Sequence, residues 1–257
     1  MSFALITGAS KGIGKAIAWE LASKKINVLL VARSEQLLSE LCADIKAKHG
    51  VEARFLSLDL TTPHAAQKIF DWCQQNSFPV NIMVNNAGYG LAGKFDNYTA
   101  QQHLELMQIN MAVPVELISL FLPSFKQLDR AYILNIGSSS AYQAVPYLST
   151  YSASKAFIVN YTRALHFELR KTNVSVSLVS PGVTDTDFPN RASVPEKGKK
   201  TADKIAMTPQ EVAKIAVRSM FKGRTEVVTG FITKLGIFLA WLLPKKLAEK
   251  TGATFYE

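Results

Sequence analysis

Short apolar runs alternate along the chain with longer helix-like segments. Ala4–Thr7, Val28–Val31, Ala53–Leu58, Ile82–Asn85, Tyr132–Ile136, Val174–Val179 and Glu226–Val228 read as strands. Several are apolar nearly throughout, as strands covered by helices on both faces should be. The segments between them, near 12–23, 35–48, 63–76, 100–122, 151–170 and 209–222, read as helices. This alternation predicts an α/β fold: a doubly wound parallel sheet of about seven strands with helices on both faces. Ligands of such sheets bind beyond the carboxyl ends of the strands, so the chemistry is expected in loops that follow strands.

Composition narrows this picture without redirecting it. The 257 residues are 48% hydrophobic and 19% charged, an ordinary globular balance. No Gly/Ser- or Pro-rich linker divides them, so one domain over 1–257 is expected. The net charge of +9 allows nucleic acid, an anionic membrane or an acidic small molecule as partner. The charges are dispersed, however, with 196-EKGKK-200 the densest patch, and no zinc-finger, basic-zipper or aromatic-interleaved basic pattern appears. A nucleic-acid partner is therefore not expected. Two cysteines, Cys42 and Cys73, both in helix-like segments, fit a reducing compartment rather than a disulfide scaffold. His49, His64, His103 and His166 show no metal-ligand spacing, so no metal is expected. The stretch MSFALITGAS lacks the pattern of a signal peptide, and a cytoplasmic location is expected.

The first strand runs directly into 7-TGASKGIG-14. Gly8, Gly12 and Gly14 permit a tight turn, and with Ser10, Lys11 and Ile13 they bring backbone N–H groups toward a pyrophosphate. The helix that follows offers its positive end to the same phosphates. The spacing G-x-x-x-G-x-G differs from the usual dinucleotide fingerprint, so the strand–turn–helix context carries the reading. The second strand ends in 31-VARSE-35. NAD-selecting enzymes place an acid there to hold the ribose 2′-hydroxyl. Here Ala32 takes that place and Arg33 follows, a side chain suited to the 2′-phosphate of NADP. With Lys11 as a second cation, NADP(H) is the expected cofactor. Asp59, after the third strand, is expected either to accept from the adenine amino group or to shape the start of a helix at 61-TTP-63.

In 151-YSASK-155 a phenol precedes an ammonium by about one helical turn, which places both on one helix face. Together with 7-TGASKGIG-14, Asp59, 85-NNAG-88, Asn110, Ser138 and 181-PGVTDT-186, this pair makes the chain resemble the single-domain short-chain dehydrogenase/reductase family over about residues 3–190. The resemblance implies a Rossmann-like fold and Tyr151 as general acid in carbonyl reduction, or base in the reverse direction. A carbonyl that receives hydride becomes an alkoxide and needs a positioned proton donor. A phenol ordinarily has a pKa of roughly 10. A neighbouring cation is expected to lower it, and Lys155 is that cation. The family also uses this lysine to hold the nicotinamide ribose. Ser138 is expected to support the developing alkoxide, with Ser139 the alternative in the run 138-SSS-140. Asn110 matches an asparagine that kinks its helix and holds a water serving the lysine; repair of the backbone near Pro114 is the alternative reading. Asn86, Ala87 and Gly88 are expected on the adenosine-side wall, with Asn85 bracing the sheet. Pro181, Gly182 and Thr186 match contacts to the carboxamide and nearby phosphate.

Substrate recognition lies outside these motifs. Tyr89, Tyr142, Gln143, Val145, Tyr147 and Phe188 are expected near Tyr151 as a pocket for a moderately apolar carbonyl. The segment 187–209 is expected to form a mobile lid. The run Leu235–Leu243, within 230–250, is apolar except for Gly236 and too short to span a bilayer. It is expected to be covered by the domain, by another copy, or by a membrane surface that Lys245 and Lys246 would suit. The leading function is NADPH-dependent reduction of a ketone, aldehyde or 3-oxoacyl compound. NADP-dependent alcohol or steroid oxidation and a catalytically silent nucleotide sensor are the rivals. Family resemblance further implies a homodimer or homotetramer paired through 100–122 and 151–170.

Overall fold

In the computed structural model, which describes residues 2–196, 198 and 205–256, the seven apolar runs form seven strands. They are β1 (Phe3–Thr7), β2 (Asn27–Ala32), β3 (Ala53–Ser57), β4 (Val80–Asn85), β5 (Ala131–Ile136), β6 (Val174–Ser180) and β7 (Glu226–Val228). All pair in parallel in the order β3-β2-β1-β4-β5-β6-β7. The winding reverses between β1 and β4, which opens a crevice at their carboxyl ends. The helices are α1 (Gly12–Ser23), α2 (Glu35–His49), α3 (Ala65–Gln75), α4 (Ala100–Met107), α5 (Val113–Phe125), α6 (Ser149–Leu169), α7 (Phe188–Arg191), α8 (Pro209–Phe221), α9 (Phe231–Leu242) and α10 (Lys245–Ala253).

Two apolar layers sandwich the sheet. On one face Ile17 and Leu21 of α1, Leu38 and Ile45 of α2, and Val217 and Met220 of α8 pack against the strands. On the other, Ile69 of α3, Leu117 and Phe121 of α5, and Leu165 of α6 do the same. Each such side chain contributes roughly 1.5–3 kcal/mol by leaving water. The buried strands of β1 and β2 carry apolar side chains on both faces, as their sequences imply.

Three stretches depart most from the sequence expectation. The helix expected over 100–122 is interrupted by a π-helical turn, Gln108–Ala112, between α4 and α5. Pro114 has no N–H to donate to residue 110, so the helical ladder slips there. The helix expected from 63 begins at Ala65, because His64 adopts a left-handed conformation (φ 59°) after Pro63. The 187–209 segment opens as the short helix α7, and its far end returns to its start. Met207 N–H donates to Val183 O (3.0 Å), and Asp185 N–H donates to Met207 O (2.9 Å). Residues 197 and 199–204 of that expected lid, with most of the 196–200 basic patch, lie outside the described residues.

A polar ladder fixes α6 to the sheet. Asn85 Nδ2 donates to Asn135 Oδ1 (2.8 Å), Asn135 Nδ2 to Thr162 Oγ1 (2.8 Å), and Thr162 Oγ1 to Ile158 O (2.6 Å). Buried amides in such a chain are costly unless paired, so the ladder sets the depth of α6 and of the residues it carries. Cys42 and Cys73 are buried and free, and burial pushes their thiols up to about 11 and about 12.

Candidate active site

The crevice beside β1 and β4 is a cleft of about 450 Å³. Its first wall is the glycine turn. Thr7 Oγ1 accepts from the N–H groups of Asn86 and Ala87 (3.1 Å each) and donates to Val84 O (3.4 Å). Asn86 Nδ2 donates to Thr7 O (3.0 Å) and Gly8 O (3.1 Å). The Asn86 amide therefore holds the turn while its residue lines the cleft. Gly8 and Gly12 have φ of 66° and 55°, conformations that disfavour a side chain. Gly14 faces away from the cleft: a Cβ there would overlap Gly8 O and Asn86 Nδ2. Ser10, Lys11, Gly12 and Ile13 line the cleft as α1 begins, and Thr186 stands against Gly12 across the opening.

Cations gather at the β2 end. Arg33 lies in the cleft wall, with Nη1 3.6 Å from Asp59 Oδ2. Burial raises the Asp59 carboxyl, but the Thr61 amide and hydroxyl and Arg33 together hold it below the ordinary value. Asp59 Oδ1 accepts from both Thr61 groups at 2.9 Å, so Asp59 shapes the turn after β3 and pairs with Arg33; the helix begins only at Ala65. Lys11 Nζ lies 3.5 Å from Asp187 Oδ2, an exposed link between the glycine turn and the α7 segment. Arg191, absent from the sequence expectation, also lines this end, 4.8 Å above the Tyr89 ring. Partial burial and the like charge of Arg33 push its guanidinium below the ordinary value. Two guanidiniums facing one cleft form a site suited to an anion.

The opposite end contains Ser138, Tyr151 and Lys155. Tyr151 lies in the first turn of α6 and Lys155 one turn later, both buried. Lys155 Nζ donates to Ile136 O (2.9 Å) and lies 5.8 Å from the Tyr151 ring centre. Burial pulls its ammonium down to about 8. The Tyr151 phenol shows the opposite of the expected tuning. Burial pushes it well above its ordinary value, a hydrogen bond with Ser138 acts downward, and Tyr256 acts upward. Desolvation thus outweighs the hydrogen bond with Ser138. In the 138–140 run the Ser138 hydroxyl reaches Tyr151; it also accepts from Ser140 N–H (3.2 Å) and Ser140 Oγ (2.9 Å). Ser139 instead donates its N–H to Pro181 O (2.8 Å).

Asn110 sits behind this group rather than in the cleft wall. It lies in the π-helical turn, where Nδ2 donates to Tyr89 O (3.0 Å) and Ser154 Oγ (3.0 Å) and Oδ1 accepts from Tyr89 N–H (3.2 Å). A Cβ on Gly88 would stand 3.0 Å from Asn110 Oδ1 and 3.4 Å from Lys155 Nζ, so glycine keeps the approach to the lysine open. Pro181 and Gly182 line the cleft beside them, and Thr233 of α9 fills the space a Gly182 side chain would need.

Of the six residues expected to shape the substrate pocket, Phe188 alone lines the cleft, with its ring 5.1 Å from that of Tyr151. The Tyr142 hydroxyl instead bonds Ser180 Oγ (2.9 Å) and the Glu226 carboxylate, bracing β6 and β7. Val145 is buried in the cluster behind Tyr151. Tyr147 adopts φ 61° and its carbonyl accepts from Gly93 N–H (2.8 Å). Gln143 lies toward Gly252 of α10, and Tyr89 underlies Arg191. The apolar wall is supplied by Leu148, Val194, Ile205, Phe255 and Tyr256. Nothing in the periodicity of the last residues signals that the C-terminal tail returns to the cleft.

These residues, brought to one cleft, fit a nicotinamide dinucleotide: a glycine turn at a helix start, two guanidiniums, and Ser138 beside the buried Tyr151 and Lys155 at the far end. The comparisons with known proteins agree. Ketoacyl reductase HetN of Nostoc sp. is 31% identical over 248 residues, 93% of this chain and 84% of that protein. A solved 7beta-hydroxysteroid dehydrogenase superposes with a TM-score of 0.87 at 25% identity, over 98% of this chain and 96% of that one. A short-chain dehydrogenase from Sphingobium yanoikuyae in complex with NADPH superposes with a TM-score of 0.82 at 26% identity, over 94% and 93%. Solved neighbours include complexes with NADPH and with NAD, so the fold alone does not select between them. The short chain dehydrogenase family model matches residues 2–197. The chain belongs to the short-chain dehydrogenase/reductase family and is an oxidoreductase acting on CH–OH or C=O groups.

Proposed function

We propose that this protein reduces a ketone, aldehyde or 3-oxoacyl compound to the alcohol with NADPH, and that Tyr151 is the proton donor. One observation carries the reading: a buried phenol in contact with Ser138 closes the same cleft that Arg33 and the glycine turn open. The bound nicotinamide supplies the hydride. The turn amides and the start of α1 hold the pyrophosphate, and Arg33 with Arg191 holds the 2′-phosphate. Lys155 orients the ribose, and Gly88 leaves room for it to do so. The substrate oxygen lies between Ser138 and Tyr151. Ser138 supports the charge that develops there, and Tyr151 delivers its proton to that oxygen. The Lys155 ammonium, drawn down to about 8 by burial, exchanges protons close to neutrality and can resupply the tyrosine.

Burial supports the role of Tyr151 as a donor. It keeps the Tyr151 phenol protonated, the form a proton donor needs at the start of a reduction; the preference for reduction itself rests on the Arg33 reading of the cofactor. Retention of Ser138 beside the buried Tyr151 and Lys155 argues against a silent nucleotide sensor. Leu148, Phe188, Val194 and Tyr256 favour a moderately apolar substrate. Exposed Leu104, Met107, Phe157 and Phe167 on α4 and α6 support pairing of copies through these helices. The test is calorimetric titration with NADPH and NADH, followed by a carbonyl panel read as NADPH consumption. NADPH is expected to bind roughly tenfold tighter or better, a difference of about 1.4 kcal/mol. Equal binding, or reduction that survives Tyr151→Phe unchanged, would overturn the reading.

A further inference from the structure

The apolar run at 235–243 is not covered by the domain. Helix α9, which contains most of it, has no buried residue. Its half-buried positions Thr233, Ile237 and Ala240 form the inner face, with Thr233 seated on Gly182. Phe231, Ile232, Leu235, Phe238, Trp241 and Leu242 point outward and are exposed, Phe231 by 81% and Trp241 by 71%. This is a helix whose larger apolar side chains face away from the protein. A contiguous ridge of this kind marks an interaction surface. At 1.5 Å per residue the helix is about 18 Å long, too short to cross a bilayer and suited to lying along one.

The charges around the ridge choose its partner. Lys234 lies on α9, and Lys245, Lys246 and Lys250 follow it, all exposed. Glu249 is the only acidic residue between 230 and 250. The ion pairs among the described residues engage none of these four lysines. A two-fold contact between copies through this ridge would bring lysines toward lysines, whereas an anionic bilayer presents the opposite charge. Trp241 lies near the end of α9, just ahead of Pro244 and the lysine pair. An amphipathic ring in that position suits the headgroup level.

We propose that α9 and the start of α10 dock this protein on an anionic membrane surface. The outward side chains of α9 enter the acyl boundary, and Lys245 and Lys246 meet headgroup phosphates. The docked face borders the cleft, because Thr233 rests on Gly182 and the chain beyond α10 returns through Phe255 and Tyr256 to the cleft wall. The docking does not depend on the proposed reductase activity, so its failure and that of the activity are separable.

The test is co-sedimentation of the full chain with vesicles of phosphatidylcholine plus phosphatidylglycerol and with phosphatidylcholine alone. Binding is expected to the anionic vesicles and to weaken with salt. Lys245→Gln and Lys246→Gln should each reduce it by roughly fivefold. The double variant Phe238→Glu/Trp241→Glu should abolish it while keeping the wild-type circular dichroism spectrum and melting temperature, which shows that the fold is intact. Failure of the wild-type protein to bind anionic vesicles would overturn the proposal, as would undiminished binding by the folded double variant. It would also be overturned if vesicles bind neither protein and the double variant converts a wild-type oligomer to a monomer, which would assign the ridge to a second copy.

Discussion

Where β1 meets α1, the cleft is shaped by backbone: Gly8 and Gly12 in left-handed conformations, Gly14 without room for a Cβ, and an Asn86 amide tied to two carbonyls. At the opposite end its walls are side chains delivered from separate segments. Leu148 precedes α6, Phe188 begins α7, Val194 follows it, and Tyr256 arrives after α10. The first end tolerates little variation, since its geometry excludes atoms. The second can change its walls without disturbing the sheet. A fold divided in this way keeps its cofactor chemistry while its substrate range drifts.

The largest expected effect lies between the two ends. Tyr151→Phe should lower carbonyl turnover by roughly 10²–10⁴-fold, the range for loss of a positioned general acid. Calorimetric NADPH affinity should change little, because the ring and its packing against Phe188 are kept. A comparable loss of NADPH binding would show that the phenol serves the cofactor end. Next come two glycines. A Cβ at Gly14 meets Gly8 O and the Asn86 amide, so Gly14→Ala should cost about 1–3 kcal/mol in denaturant melts. Gly236, in the exposed α9, has nothing within 4 Å of the place a Cβ would occupy. Gly236→Ala should therefore be neutral or stabilise by up to about 1 kcal/mol through helix propensity. Similar costs at both sites would remove the contrast between an excluded and an open backbone.

Residue types read well wherever backbone geometry demands them. Glycines before a helix, the apolar runs of β1 and β2, and a Tyr–Lys pair one turn apart are local patterns, and the structure brings them to one cleft. Asp59 and Asn110 were half legible. Their positions followed from spacing, but whether a carboxylate faces a ligand or its own turn depends on Thr61 and Arg33, and the Asn110 amide is consumed by Tyr89 and Ser154. Tyr142 and Val145 were misplaced because a position near Tyr151 in sequence does not specify the side of the chain that faces the cleft. Arg191 and Tyr256 had no local signal, since only tertiary folding returns those segments to β1 and α6. The tuning of Tyr151 was misjudged for a related reason. Spacing supplies the lysine, but the depth of α6, set by the Asn85–Asn135–Thr162 ladder, determines the desolvation.

The cation pair at the cofactor end should separate further. Arg33→Ala should weaken NADPH by roughly tenfold and leave NADH unchanged, as expected for loss of a charge-assisted contact to the 2′-phosphate. Arg191→Ala should do the same to a smaller extent, since its guanidinium is already occupied with the Tyr89 ring. Lys155 allows a stability test. Burial draws its folded-state pKa from 10.5 to about 8. Below the lower value both folded and unfolded chains hold the proton. Between the two values the unfolded chain binds more protons, so stability rises with pH across that window. Melting temperatures of wild type relative to Lys155→Met should therefore increase from pH 8 toward 10.5. A flat difference would place the ammonium in water.

The smallest effect belongs to the substrate end. Tyr256 packs with Leu148 and Phe188 in the cluster around Tyr151, and burial pushes its hydroxyl upward. It is carried there by α10, whose Ala248 and Gly252 are buried against the domain. Tyr256→Ala should remove an aromatic wall and raise KM for apolar carbonyls by about fivefold, the equivalent of roughly 1 kcal/mol of lost contact. NADPH affinity should not move. Smaller or more polar carbonyls, which do not use that wall, should lose less. If NADPH affinity falls in step with KM, the tail closes over the cofactor as well. The two ends would then be joined by one C-terminal segment, and the independence of substrate range from cofactor binding would fail for this chain.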